Sequence, residues 1–346
     1  DNQELVPLAA SYARIVGFSY ILNSITGVYV GAHRSMENPK LGMVIFAISM
    51  LTNTFLNWVF IFGNLGAPAL GVEGAALATL LSRAVEFVIM VTYALINTRF
   101  RLKPALLLRP GSALLQKFVR YSGPVVLNET LWGLGNSLYK VVMGHMEGST
   151  EILAARALAG NMEDLCTVAI FAISGTTAII IGREIGAGRR EQVYEMGAAL
   201  NTMAMGCGLV IGLVLIGGAW WIFPGLVYPF FHLSSVSGGI TTMMLTFTGV
   251  FLPLRAFNTV NTVGVLRGGG DVRAATVIDL LPLWLVALPL AAIFGLGLKW
   301  GIFWVYVGIM MESTTKFFLG VPRFRSRAWI NDVTQFSHVK ERQASQ

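Results

Sequence analysis

Apolar residues gather along this chain into nine long runs, near 8–32, 41–62, 74–97, 122–143, 152–181, 194–223, 240–265, 274–295 and 301–320. A helix rising 1.5 Å per residue needs roughly 20 apolar residues to cross a hydrocarbon core about 30 Å thick, and each run meets that length. The polar positions keep a second rhythm. Of 25 Lys and Arg residues, 19 fall in every other gap or tail: Arg34 and Lys40, Arg99 to Arg120, Arg183 to Arg190, Arg267 and Arg273, and Lys316 to Arg342. The intervening gaps at 63–73, 144–151, 224–239 and 296–300 hold only Lys299. Basic loops stay on the cytoplasmic side, so the pattern predicts an all-α polytopic protein of the bacterial inner (plasma) membrane, with about nine transmembrane helices.

Composition changes the picture little. The chain is 55% apolar and 12% charged, against about 25% charged in soluble domains. Its 38 Gly suit close helix packing in lipid. A net charge of +7 would suit a nucleic-acid partner, but here it is spread over membrane-flanking loops, which points to topology and anionic headgroups instead. Cys166 and Cys207 both fall inside spans, so neither a disulfide framework nor a metal site is indicated. Counting back from the basic gaps puts the N-terminus outside, although it carries no targeting signal.

A weak repeat runs through these spans at an offset of 233 residues. The run from Thr26 to Lys40, with Arg34 and Asn38, resembles the run from Thr259 to Arg273, with Arg267 and Asp271. Phe60–Gly63 echoes Ala292–Gly295, and Gly74 opens its helix as Gly301 does. Both copies cross the membrane in the same direction, as in transporters built from two matching lobes. The last three spans then repeat the first three, and the expected parent has twelve helices, of which this chain lacks the first three. The boundaries that follow are 1–97 for the second half of one lobe, 98–120 for a cytoplasmic linker, 121–322 for the second lobe and 323–346 for a cytoplasmic tail. Residues 100–117, Leu-rich between Pro104 and Pro110, suit either a plain linker or an amphipathic helix on the inner leaflet.

Several motifs resemble the MATE (multidrug and toxic compound extrusion) transporters. Asn38-Pro-Lys-Leu-Gly-Met, the run from Asn53 through Asn57 to Gly63, and the run from Leu70 to Thr79 look like that family's helices 4 to 6. Ile181-Gly-Arg-Glu-Ile-Gly-Ala-Gly is similar to the turn after its helix 8, and Gly264-Val-Leu-Arg-Gly-Gly-Gly-Asp to the turn after its helix 10. The resemblance implies a two-lobe fold around a central cleft. It also implies export of organic cations in exchange for Na⁺ or H⁺.

Ionisable groups inside the membrane are costly and so are functional candidates by default. Glu129 stands first, some 8 residues into its span, with Pro124 suited to the helix start and Gly133 and Gly135 beside it. Desolvation there would raise its pKa toward neutrality, and its position matches an acidic residue that the family uses for coupling or substrate binding. Arg255, 12 residues before Arg267, lies at a similar depth and is the expected partner of Glu129, either as a locked pair or as one that opens on protonation. Drug exporters of the family often carry an acidic residue where this chain has Ala256. Asp279 lies just before Pro282, where a freed backbone carbonyl offers a further cation ligand.

In the first three spans the candidates are uncharged oxygens. Asn53 and Asn57, spaced i, i+4, share one helix face; Thr79 stands on the next helix and Asn23 on the preceding one. Amide and hydroxyl oxygens suit a hard cation such as Na⁺, and equally suit plain interhelical hydrogen bonds. The resemblance implies a cation site at the positions matching Asn53, Asn57 and Thr79, completed by an acidic residue on the family's helix 1. Arg83 and Glu86 are spaced to neutralise each other, Glu163 and Asp164 suit a wet vestibule, and Lys140 and Lys299 are placed to snorkel. Trp132, Tyr139, Phe171, Phe257 and Trp284, with the 14 Met, suit either a drug-binding wall or ordinary packing.

No phosphate-binding loop, nucleophile elbow or zinc-protease motif is present. Gly268-Gly-Gly suits a tight turn. The leading reading is a secondary active exporter of organic cations working by alternating access, monomeric in the bilayer, without a cofactor, a metal other than Na⁺, or a nucleic-acid partner. The alternatives are a lipid-linked or oligosaccharide flippase of the wider superfamily, a non-transporting membrane fragment, and a membrane-embedded enzyme.

Overall fold

The computed structural model describes residues 5–36, 38–96 and 111–331. These fold as nine long helices, with no strand among the described residues. They are α1 (Leu5–Ser35), α2 (Lys40–Phe62), α3 (Gly71–Ile96), α4 (Ser112–Gly144) and α5 (Ser149–Gly186). Then come α6 (Arg190–Phe230), α7 (Ser235–Leu266), α8 (Val272–Gly297) and α9 (Ile302–Arg325). Every expected span is a helix, and all nine are longer than 20 residues. Seven are apolar enough to cross a membrane by composition alone; α4 and α9 are long enough but more polar. Residues 98–110 of the proposed linker and 332–346 of the tail lie outside the described residues.

The chain divides into two compact units, Asp1–Gly111 and Ser112–Gln346. In the first, α1 and α2 both pack on α3 around Tyr29, Val30, Leu41, Ile45, Met90 and Ala94. The turn between α2 and α3 is sharp because Gly63, at φ +74°, returns its N–H to Val59 O. Gly74 does not open α3, which starts at Gly71; it sits in the first turn, where a Cβ would collide with the carbonyl of Phe60. Its lack of a side chain lets the two helices touch backbone to backbone.

The second unit contains α4 to α9, and the α6–α7 pair is its spine. Gly212 faces Gly249, and Gly208 faces Leu252 and Ala256, so close that a Cβ at either Gly would strike the other helix. Gly264 and Gly268 meet Ser174 and Ala178 of α5 in the same way. Helices α6, α7 and α8 contain stretches of wider π winding, at Gly218–Ile222, Val260–Leu266, Leu283–Ala287 and Ile293–Gly297. Three of these lie near Pro224, Pro282 or Pro289, each of which removes a backbone donor and interrupts the regular ladder. At the basic end, Trp329 is fully buried against Gly197, Gly269 and Phe324, and Asn331 N–H donates to Gly269 O at 2.9 Å. The breaks between α1 and α2 and between α7 and α8 fall at corresponding points of the repeat, with α2 starting at Lys40 and α8 at Val272.

Candidate functional site

Five charged groups of the second unit meet in a continuous seam across α4, α7, α8 and α9. Arg267, at the end of α7, donates from Nη1 to Glu129 Oε1 at 2.9 Å and lies 4.0 Å from Asp279 Oδ2. Asn128 of α4 donates from Nδ2 to Asp279 Oδ2 at 2.8 Å and lies 3.5 Å from Glu129 Oε1. Lys316 of α9 then sits between two carboxylates, 2.6 Å from Asp279 Oδ1 and 2.8 Å from Glu312 Oε1. Tyr139 closes the row by donating to Glu312 Oε2 at 3.0 Å. A cavity of about 270 Å³ opens beside Glu129, Arg267, Asp279, Glu312 and Lys316.

Two properties of the seam stand out. It brings three carboxylates together with the cations Arg267 and Lys316, and Arg255 lines the same cavity. Burial is also graded along it. Lys316 is 9% exposed, whereas Glu129 is 59% exposed. One end is anchored in protein and the other is open to exchange.

The expected Glu129–Arg255 pair does not form. Arg255 points instead to α5 and pairs through Nη2 with Glu163 Oε1, while Arg156 Nη1 reaches Glu163 Oε2 at 3.2 Å. The π-wound stretch Val260–Leu266 lies between Arg255 and Arg267, and a change of winding alters the face that each presents. It is Arg267, not Arg255, that turns toward α4. Glu129 lies at the open end of the seam, with its side chain 59% exposed. Pro124 lies inside α4, not at its start, because the helix already begins at Ser112. Lys316, counted from its position with the tail, is buried in α9 well before that helix ends at Arg325. Asp279 keeps its place near Pro282, but Lys316 and Asn128 occupy both of its oxygens.

Five participants were not picked out as site residues from sequence: Asn128, Arg156, Arg267, Glu312 and Lys316. The Glu312–Lys316 spacing of i, i+4 is a readable signal for one pair, and Arg156 is a charge inside a span. Asn128 carries no signal of its own beyond adjacency to Glu129.

In the first unit, Asn57 Nδ2 donates to Asn53 Oδ1 at 3.0 Å, and Asn53 Nδ2 lies 3.4 Å from Ser82 Oγ. Ser82 in turn donates to the carbonyl of Thr79, whose own hydroxyl donates to Ala75 O. Asn53, Asn57 and Thr79 therefore belong to one polar ladder between α2 and α3. Among the described residues Asn23, half-buried on α1, makes no hydrogen bond to it. Asn57 Oδ1 is buried without a hydrogen-bond partner, which leaves one oxygen for a further ligand. Arg83 and Glu86 form the expected pair at 2.6 Å.

Known proteins place these groups in a context. The sequence model of the MatE family matches residues 1–59 and 124–293. An uncharacterized transporter of Bacillus subtilis, YisQ, is 24% identical over 331 residues, which cover 95% of this chain and 70% of that protein. The probable multidrug resistance protein NorM of Thermotoga maritima is 22% identical over 326 residues, covering 94% of this chain and 68% of its own length. A solved MOP-superfamily transporter from Pyrococcus furiosus, whose binding pocket of reverse polarity suggests a different function for it, superposes with a TM-score of 0.81. It is 22% identical and covers 96% of this chain, which covers 72% of it. That likeness establishes the all-α, two-lobe transporter fold.

Proposed function

This chain belongs to the MatE family of transporters, and from that membership we propose that it takes part in ion-coupled export of amphipathic organic cations, with the Glu129–Arg267–Asp279–Lys316–Glu312 seam as the coupling element of the second unit. Membership makes it a multi-pass, secondary active transporter of the plasma membrane and not an enzyme. The finer reading rests on one observation: Glu129, the exposed end of the seam, pairs with the half-buried Arg267 at 2.9 Å.

A carboxylate that holds Arg267 when ionised releases it when protonated or when bound to Na⁺. Loading with the coupling ion thus exchanges an ion pair within the seam for an ion-filled site. A ligand shifts a conformational equilibrium only by its differential affinity for the two states, and the broken pair supplies that difference. The Asn53–Asn57–Thr79 ladder offers neutral oxygens to the same class of ion in the first unit.

Inside-out vesicles containing the protein test this reading. Loading them with Na⁺ or acidifying their lumen should drive accumulation of a fluorescent cation such as ethidium, and the ion that drives it is the coupling ion. Absence of a response to both gradients contradicts the proposal.

A further inference from the structure

We propose that the apolar groove on the outer half of the α6–α7 pair seats one acyl chain of an outer-leaflet phospholipid. The site is separate from the charged seam and does not depend on which ion or solute the protein moves.

The groove is built around a break in α6. The π stretch Gly218–Ile222 runs almost directly into Pro224, and a change of winding alters the face a residue presents. Trp220, within that stretch, reaches across to α7 and donates from Nε1 to Thr246 Oγ1 at 3.0 Å. Met243 and Phe247 of α7 and Phe303 of α9 complete the apolar wall, and Gly238 and Gly239 line the groove without side chains. The cavity measures about 1030 Å³, the upper end of the range for small-molecule sites. It is a recess, not the ordinary roughness of a helix surface.

Position and chemistry both fit a hydrocarbon chain. The groove follows α7 from Ser235 to Phe247, roughly 18 Å at 1.5 Å per residue, and the hydrocarbon of one leaflet is about 15 Å deep, half of the core. Its rim lies in the 224–239 gap, which carries no Lys or Arg and therefore faces outward. Among the described residues no charged side chain lines it. The hydroxyls inside are already bonded: Tyr228 with Thr242 at 2.9 Å, and Thr246 to the carbonyl of Thr242 at 2.7 Å. At the rim, Ser234 Oγ accepts from Ser237 N–H at 3.1 Å. A charged or polar solute would find few partners here. An apolar cavity stays dry, and left empty its walls forfeit dispersion contacts. Association within lipid rests on such packing, and the neighbouring acyl chain is the hydrocarbon at hand.

The test uses the full chain in phosphatidylcholine nanodiscs doped with a phosphatidylcholine that carries a photoactivatable diazirine at mid-chain. After illumination, peptide mapping should find adducts on Trp220, Met243 and Phe247, severalfold above those on Leu209, Val210, Leu213 and Val214. Those four are exposed on α6 but do not line the groove. Gly239→Trp blocks the site, because a Cβ at Gly239 meets no atom within 4 Å and the indole enters open space. This variant should lose the groove adducts and keep those on the other four residues, with its thermal midpoint unchanged.

Groove labelling no heavier than that of Leu209, Val210, Leu213 and Val214 overturns the proposal, and that comparison is made within the unaltered protein. Labelling that persists in Gly239→Trp overturns it as well. So does loss of the groove adducts when ethidium is added, which would make the groove a solute site.

Discussion

Lys316 Nζ lies 2.6 Å from Asp279 Oδ1 and ties the last helix to α8 deep inside the second unit. The same ammonium holds Glu312 at 2.8 Å, so two half-buried carboxylates share one buried cation. Lys316→Met should lower stability by about 3–5 kcal/mol, the cost of leaving a buried charge without its partner. Thermal unfolding in detergent reads this directly. Adding Asp279→Asn should recover part of the loss, because Asn keeps the shape and removes the orphaned charge. An unchanged midpoint in Lys316→Met would mean that the seam is too wet for the pairing to matter.

The Arg156–Glu163–Arg255 triad predicts an asymmetry between its members. Glu163→Gln strips both guanidiniums of their shared acid and should cost about 3–5 kcal/mol. Arg255→Met leaves a one-to-one pair and should cost much less. The order of the two unfolding midpoints decides the matter, and a less stable Arg255→Met protein would contradict the assigned pairing.

Trp329 predicts a fold-level effect at the basic end. Its ring is fully buried and stacks on Phe324 with centroids 5.7 Å apart, and its Nε1 donates to Phe324 O at 2.9 Å. Trp329→Ala should cost about 3–5 kcal/mol through the cavity it leaves. Hydrogen exchange should quicken in Gly268–Asp271, the turn to which the 326–331 segment is pinned. Unchanged exchange there would show that the turn holds its shape without the indole.

Topology gives a fourth expectation. The gaps rich in Lys and Arg place the end of α9 on the cytoplasmic side. A cysteine introduced as Ser326→Cys should resist a membrane-impermeant thiol reagent in intact cells and react after the cells are opened. Labelling from outside would reverse the orientation of all nine helices.

How far sequence carried this account depends on the kind of information each feature needs. Helix existence is local, and a run of apolar residues bounded by basic turns placed each of the nine spans within about ten residues at either end. The family and its two-lobe fold were legible in short motifs such as the run from Gly264 to Asp271. Pairing is not local. Glu129 and Arg267 are 138 residues apart, and choosing Arg255 as the partner assumed an unbroken helical rise from Arg267. The π-wound Val260–Leu266 segment breaks that assumption. Lys316 was misplaced for a related reason. Lys316 lies inside the 301–320 run, and counting it with the basic residues of the tail misplaces it; α9 continues to Arg325 and keeps the Glu312–Lys316 pair within the bundle.

The central claim is that ion occupancy at Glu129 is linked to substrate movement, and linkage is reciprocal. It is tested most directly by adding an organic cation such as ethidium to inside-out vesicles that contain the protein and a lumenal store of the coupling ion, and recording release of that ion. Unaltered protein should release Na⁺ or H⁺ in step with ethidium uptake. Glu129→Gln, which keeps size and hydrogen bonding but cannot ionise, should still bind ethidium and release no ion. Ethidium-driven ion release by a folded Glu129→Gln protein at the unaltered rate would contradict the account.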